Sequence, residues 1–325
     1  MSLRVAVVQD HPVFFNKKET LKKVERLVAL CRSKGCELVL FPESFIPGYP
    51  RDFDFGTRVG DRSESGRDLY LEYYQESIDP DGQDIPFLEK VAASYGCYLV
   101  IGVTEQNSSN SSLYCSMLYI SPTSGLLGVH RKIKPTGQER VIWAEAAGES
   151  LCTFQTPIGR LGGLICWENY MPLARMAMYS KGVEIYLAPT ADARPGWVAS
   201  MQHIALEGRC YVLACNQFIE RNEYPERFRS FLKDSRDIVC AGGSVIISPF
   251  GEVLAGPLRD EAGILLADLE MDEVVRSKLD FDVNGHYQRK DIFAFEVHGQ
   301  PPIKKEASPK KNQNTEIKQV PPEIE

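Results

Sequence analysis

No apolar stretch in this sequence approaches the length of a membrane span. The short run RVAVV near the start gives way at once to QDHP, so neither an anchor nor a signal peptide is expected and the chain reads as cytoplasmic. Before the last stretch there is no block of Lys and Arg, and the formal net charge is −7 at pH 7. Recognition of a phosphate backbone usually needs a basic face, so no nucleic-acid partner and no membrane-surface partner is expected. Paired cysteines are missing too: of nine, none forms C-x-x-C, and most sit inside apolar runs such as CYLV and CYVLAC. That pattern reads as packed, reduced thiols and argues against structural zinc. Histidine is scarce, with His11, His130, His203, His286 and His298, and none stands in a local context that marks a Cys-His pair. There is no internal repeat.

What is present is a succession of short strand-like runs: RVAVVQ, CELVLF, YLVIGVTE, LYCSMLYI, LGGLIC, EIYLAP, CYVLACNQ, GSVIIS and GILLADLE. Helical patterns lie between several of them, as over 18–33, where Leu21, Val24, Leu27, Val28 and Cys31 recur at spacings of three and four. This predicts one large α/β domain over residues 1–299. LYISPTSGLLGVHRK and SVIISPFGEVLAG each read as strand, turn, strand, so hairpins mix into the sheets and the sheets are mixed rather than parallel. Residues 51–86 and 220–238 are richer in Arg, Asp and Glu and read as surface insertions, either solvated loops or subunit contacts. From 300 to 325 the chain has few large apolar residues and is expected to be a disordered tail.

Three stretches carry candidate chemistry. In GRLGGLICWENYMPLAR an apolar strand-like run ends at Cys166 and a helical pattern begins. A thiol there is either a packed core residue or a nucleophile whose pKa is lowered by helix N-terminal amides. In ELVLFPESFIPGYP a strand leads through Pro42 to Glu43, flanked by Phe41, Phe45 and Ile46. A carboxyl in apolar surroundings has its pKa raised, which suits a general base, although a turn glutamate is the plainer reading. In GVHRKIKPTGQERVIW, Lys132 is a candidate stabiliser of an anionic adduct or else a solvated strand end, and Glu139 is a second carboxylate.

Taken in chain order, FPESFIPGYP, HRKIKPT and CWENYMPLAR make the sequence resemble the nitrilase branch of the carbon-nitrogen hydrolase superfamily over nearly all of residues 4–296. APTADARPGWVASMQHIALEGRCYVLACNQF, GGSVIISPFGEVLAGP and VNGHYQRKD are most similar to plant-type nitrilases and their bacterial relatives. The resemblance implies a four-layer α-β-β-α sandwich. It implies Glu43 as general base, Lys132 as cationic stabiliser, Cys166 as nucleophile and Glu139 as the residue that orients Lys132 or the leaving group and water. It implies hydrolysis of an organic nitrile to acid and ammonia, with some amide, and no metal or organic cofactor. Arylaceto-, arylpropio- and β-cyanoalanine-type nitriles are the implied substrates. Tyr49, Trp167, Thr190 and Ala191 are the candidate substrate-binding residues. An amidase or carbamoylase of the same superfamily and an inactive scaffold are the alternatives. Departures from relatives fall at Arg51-Asp52, Gln288 and Lys290 and bear on substrate choice. A homo-oligomer is also implied, dimers building spirals or filaments through the two insertions.

Overall fold

The structure is a computed structural model that describes residues 2–232, 237–299 and 304–305. In chain order the elements begin with β1 (Ser2–Gln9), α1 (Lys17–Ser33), β2 (Leu38–Leu40), the short hairpin β3 (Thr57–Arg58) and β4 (Asp61–Arg62), α2 (Glu64–Glu76) and α3 (Asp84–Tyr95). Three strands follow, β5 (Tyr98–Gln106), β6 (Leu113–Ser121) and β7 (Gly125–Arg131), then β8 (Thr153–Thr156), β9 (Gly159–Gly163), α4 (Pro172–Ser180) and β10 (Ile185–Pro189). The remainder is α5 (Gly196–Gly208), β11 (Tyr211–Cys215), β12 (Phe218–Glu220), α6 (Glu226–Arg229), β13 (Ile238–Ile247), β14 (Val253–Arg259), β15 (Gly263–Glu270), α7 (Asp272–Ser277) and β16 (Lys304–Lys305).

Two mixed sheets result, as the combination of helical crossovers and hairpins predicts. One has strand order β15-β1-β2-β5-β6-β7, with β1, β2 and β5 parallel and the rest antiparallel. The other runs β12-β13-β11-β10-β9-β8-β16, with β14 also on β13 and a parallel centre of β9, β10 and β11. Both hairpins expected from sequence are there, β6 with β7 and β13 with β14.

Side-chain alternation along the strands sorts the apolar residues into three cores. Val5, Val7, Leu38 and Leu40 of the first sheet meet Ile185, Leu187, Tyr211 and Leu213 of the second in the central core. Their neighbours Ala6, Val8 and Val39 face the other way, against Val24 and Val28 of α1 and Leu88 of α3. Tyr186, Ala188, Val212 and Ala214 likewise face outward onto Met178 of α4 and Trp197 and Met201 of α5. The order of layers is therefore helix, sheet, sheet, helix, the expected sandwich. The pattern over 18–33 marks α1, which Asn16 caps by accepting the Glu19 N–H at 3.1 Å.

The two charged insertions differ from the solvated-loop reading. Phe53 from the first packs with Phe228 and Phe231 from the second, ring centroids of Phe53 and Phe231 being 4.9 Å apart, and Phe55, Phe15 and Tyr73 close the cluster. Most of the Arg and Glu that dominate their composition lie outside, where Arg227 pairs with Glu72, Arg51 being an exception. The tail expected from 300 onward lies outside the described residues, apart from Lys304–Lys305, whose backbone pairs parallel to β8. Among the described residues no helix is long and apolar enough to cross a membrane.

Candidate active site

The carboxyl ends of the parallel strands from both sheets converge, the usual place for a site in an open α/β sheet. Beyond β2, Phe41 N donates to Val100 O and Phe45 N to Gly102 O, so residues 41–45 run along β5. A Cβ on Gly102 would stand 2.6 Å from Glu43 Cα and 2.2 Å from Pro42 O, so only glycine lets the glutamate segment come this close. Gln217, at the end of β11, donates through Nε2 to the Glu43 carbonyl at 2.7 Å. Glu43 is fully buried.

Lys132 follows β7, where its N–H donates to Cys115 O. Its side chain is fully buried, so the solvated strand end is excluded. Nζ donates to Glu43 Oε1 and to Glu139 Oε2, each at 2.7 Å. Glu139 is itself held in place. Its Oε2 accepts the Thr136 N–H at 2.6 Å, and its Oε1 accepts from the Tyr49 hydroxyl at 2.7 Å.

Cys166 opens a 3-10 turn (Cys166–Tyr170) just after β9, with φ at 51°, a left-handed conformation that is rare for a side chain of this kind. Such a backbone costs on the order of 1–3 kcal/mol and persists only where its surroundings over-determine it. Here Asn169 Nδ2 donates to the carbonyls of Cys166 and Leu164 at 2.8 and 2.9 Å. The thiol sulfur accepts from Thr190 Oγ1 at 3.2 Å. One of the two readings from sequence put helix N-terminal amides beside this sulfur. Instead α4 starts only at Pro172, and burial together with the Glu43 charge pushes the Cys166 thiol up, not down. The resting sulfur is therefore a thiol that needs a base.

Burial also raises the Glu43 carboxyl above its usual range, against the pull of Lys132. Burial works against the Lys132 charge, but Glu43, Cys166, Cys115 and Glu139 around it outweigh this and hold its pKa well above the ordinary lysine value. One oxygen of the cluster is left over. Glu43 Oε2 is buried without a hydrogen-bond partner, although its carboxyl interacts with the neighbouring Cys166 side chain.

Cys166 and Glu139 open onto a cavity of about 750 Å³. Tyr49, Trp167 and Ala191 line it, and Thr190 sits under the sulfur, so all four candidate substrate-binding residues gather at the site. Sequence reasoning missed the rim. Trp167 Nε1 donates to Asp192 Oδ2 at 2.9 Å, and Arg194 pairs with the same carboxylate while its guanidinium lies 4.7 Å from the Trp167 ring centre. The signal was in APTADARPG, where an acid and a base two residues apart follow a strand. Arg51, noted only as a departure, also lines the cavity; Nη2 donates to Ala191 O at 2.7 Å and Nε is buried without a partner. Among the described residues no group of three or more His, Cys, Asp or Glu is placed to hold a metal ion.

Comparison with known proteins adds the lineage. The carbon-nitrogen hydrolase family model matches residues 4–278. The bifunctional nitrilase/nitrile hydratase NIT4A of Lupinus angustifolius is 46% identical over 306 residues, 92% of this chain and 87% of that protein. Nitrilase 3 of Arabidopsis thaliana is 45% identical over 306 residues, 92% of this chain and 88% of its own length. Among solved structures, Saccharomyces cerevisiae Nit3, a member of branch 10 of the nitrilase superfamily, superposes with a TM-score of 0.70 at 20% identity, covering 89% of this chain and 97% of its own. With the motifs, the sandwich and this similarity together, the chain belongs to the carbon-nitrogen hydrolase family, in its nitrilase branch.

Proposed function

We propose that this nitrilase converts an organic nitrile to the carboxylic acid and ammonia with Cys166 as nucleophile, Glu43 as general base, Lys132 as cationic stabiliser and Glu139 as the group that holds Lys132 in place. The observation that carries the assignment is a buried ammonium held at 2.7 Å by each of two carboxylates, one of which keeps a free oxygen beside a thiol. Glu43 takes the thiol proton as sulfur attacks the nitrile carbon, and that proton passes to the nitrile nitrogen, leaving a neutral thioimidate. Water, deprotonated by Glu43, adds to the C=N carbon. The tetrahedral species keeps its C–S bond when protonated nitrogen leaves as ammonia, and a second water then cleaves the acyl-thioester to acid and free thiol. When the C–S bond breaks first and the thiolate recovers a proton, the product is amide. Lys132 stands where charge develops at the tetrahedral stage.

The wall of the cavity favours the β-cyanoalanine type among the implied substrates. Arg51 lines the cavity and brings a guanidinium to the place of a substrate carboxylate. An aromatic arm is the second reading, supported by the Trp167 ring at the rim. The reading extends to a cytoplasmic location and to assembly into homo-oligomers, the latter supported by Leu279, Tyr287, Ile292 and Phe293, all exposed near the end of the described chain.

The test is release of acid, amide and ammonia from β-cyanoalanine, arylaceto- and arylpropionitriles and their amides. Cys166→Ala is expected to abolish turnover, and full activity in that variant would overturn the assignment. Arg51→Leu is expected to raise KM for β-cyanoalanine about tenfold or more, since a charge-assisted hydrogen bond contributes roughly 1.5–3 kcal/mol, while leaving arylacetonitriles little changed. Equal effects on both substrates would remove the carboxylate from the reading. Turnover of amides alone would move the protein to the amidase alternative.

A further inference from the structure

Strand β7 delivers two buried basic side chains, and the reaction just described uses only Lys132. The other is His130, fully buried, with Nδ1 2.8 Å from Ser150 O and Nε2 2.9 Å from Glu168 Oε2. A carbonyl oxygen can only accept. Glu168 is also acting as an acceptor, since it takes two main-chain N–H bonds. With Glu168 as a carboxylate both ring nitrogens donate, which makes His130 an imidazolium paired with it.

The two main-chain groups that Glu168 binds adjoin the reacting residues. Oε1 accepts the N–H of Ile133, the residue after Lys132, at 2.7 Å. Oε2 accepts the N–H of Ile165, the residue before Cys166, also at 2.7 Å. Lys132 follows the edge strand β7 of one sheet and Cys166 follows a strand of the other, so a single carboxylate ties the cation-bearing end of the first sheet to the thiol-bearing turn of the second. His130 supplies the counter-charge and is fastened in turn to Ser150, whose hydroxyl donates to Arg131 O and accepts the Arg131 N–H. Neither His130 nor Glu168 lines the substrate cavity.

We propose that the buried His130–Glu168 pair is a positioning device that sets the separation of the Lys132 ammonium and the Cys166 thiol and thereby the partition of the tetrahedral species between acid and amide. The proposal rests on the roles assigned above to Lys132 and Cys166. Nitrogen and sulfur are rival leaving groups on one carbon. Breaking C–N after nitrogen is protonated commits to acid, whereas breaking C–S, with the proton returned to sulfur, releases amide. Which bond breaks depends on whether Lys132 and its carboxylates stand nearer the nitrogen or the sulfur, and the shared Glu168 tether fixes that placement. The substitutions separate the parts of the device. A carboxamide at 168 has one acceptor oxygen and an NH2 donor, so Glu168→Gln forces a donor against Ile133 N–H or Ile165 N–H. His130→Gln leaves both tethers and removes the counter-charge together with the ring's contact to Ser150.

The experiment compares Glu168→Gln, His130→Gln, the double variant and Cys166→Ala, reading kcat, KM, the acid-to-amide ratio and cooperative thermal unfolding. Misplacement by about 1 Å costs on the order of 10²-fold, so Glu168→Gln is expected to lose about that much in kcat, with KM within about threefold and the amide share raised several-fold. His130→Gln should shift both readouts the same way by less, and the double variant should match Glu168→Gln within about twofold. An unchanged product ratio in folded Glu168→Gln overturns the proposal, as does a rise in KM with kcat intact, or losses that multiply in the double variant. Should Glu168→Gln fail to fold, the product ratio of His130→Gln decides; if neither folds, the pair is structural only and the proposal is overturned. Normal turnover in Cys166→Ala would instead mark failure of the site assignment beneath it.

Discussion

Two buried charge clusters share the end of β7, and they differ in how completely their atoms are bonded. Around Glu168 both oxygens are taken, by Ile133 N–H, Ile165 N–H and His130. Around Glu43 one oxygen accepts from Lys132, and the other has no hydrogen-bond partner although the carboxyl interacts with the Cys166 side chain. A buried polar atom without a partner costs roughly 1–3 kcal/mol, so a fold retains one only where its surroundings hold it there. The saturated cluster is built like a joint and the unsaturated one like a tool.

The largest expected effect falls on the unsaturated side. Lys132→Ala and Glu43→Gln should each lower kcat/KM about 10²-fold or more, measured as ammonia release, the usual size of an oxyanion stabiliser or a positioned base. As the proposed base Glu43 would act in its charged form, and burial raises its pKa, so kcat/KM of the parent should fall as pH falls through that raised value. Glu43→Gln should show no such acid limb. The saturated side should speak through stability as well as through kcat and product ratio. Removing one partner of a buried pair costs about 3–5 kcal/mol, so Glu168→Ala should lower the denaturant midpoint by a corresponding amount, whereas a surface-like loss below about 1 kcal/mol would erase the contrast.

The smallest effect is a pH dependence of that joint. Burial opposes the charge on His130, but Glu168 outweighs it and holds the ring above the usual imidazole range. A raised pKa in the folded state stabilises fully below the unfolded value, about 6.5, and that contribution is lost as pH rises through the folded value. The difference in melting temperature between the parent and His130→Gln should therefore be widest in mildly acidic solution and narrow as pH rises. A constant gap would show that the ring stays in one protonation state throughout.

Much of this was legible in the sequence because the informative signals are short and contiguous. Strand runs and the Leu21-to-Cys31 periodicity marked the sandwich elements, and Glu43, Lys132 and Cys166 each stand just beyond a strand, where a linear pattern shows them. What was not legible depends on distance in space. Whether Lys132 was solvated or buried turns on Glu43, 89 residues away. The left-handed backbone at Cys166 depends on Asn169, which in sequence reads only as part of a helix. The two insertions looked hydrophilic because their charges are numerous and their phenylalanines few, yet those phenylalanines find one another across the fold. Composition counts residues, and packing counts which of them meet.

Gly102 shows a last consequence. The glutamate segment lies where it does because β5 leaves a gap the width of one methyl group beneath it. Placement by vacancy is unforgiving in a way that placement by bonding is not, because no compensating partner elsewhere can restore space once it is filled. Variation of the cavity rim can thus explore new substrates, while even the smallest added side chain at 102 would displace Glu43 itself.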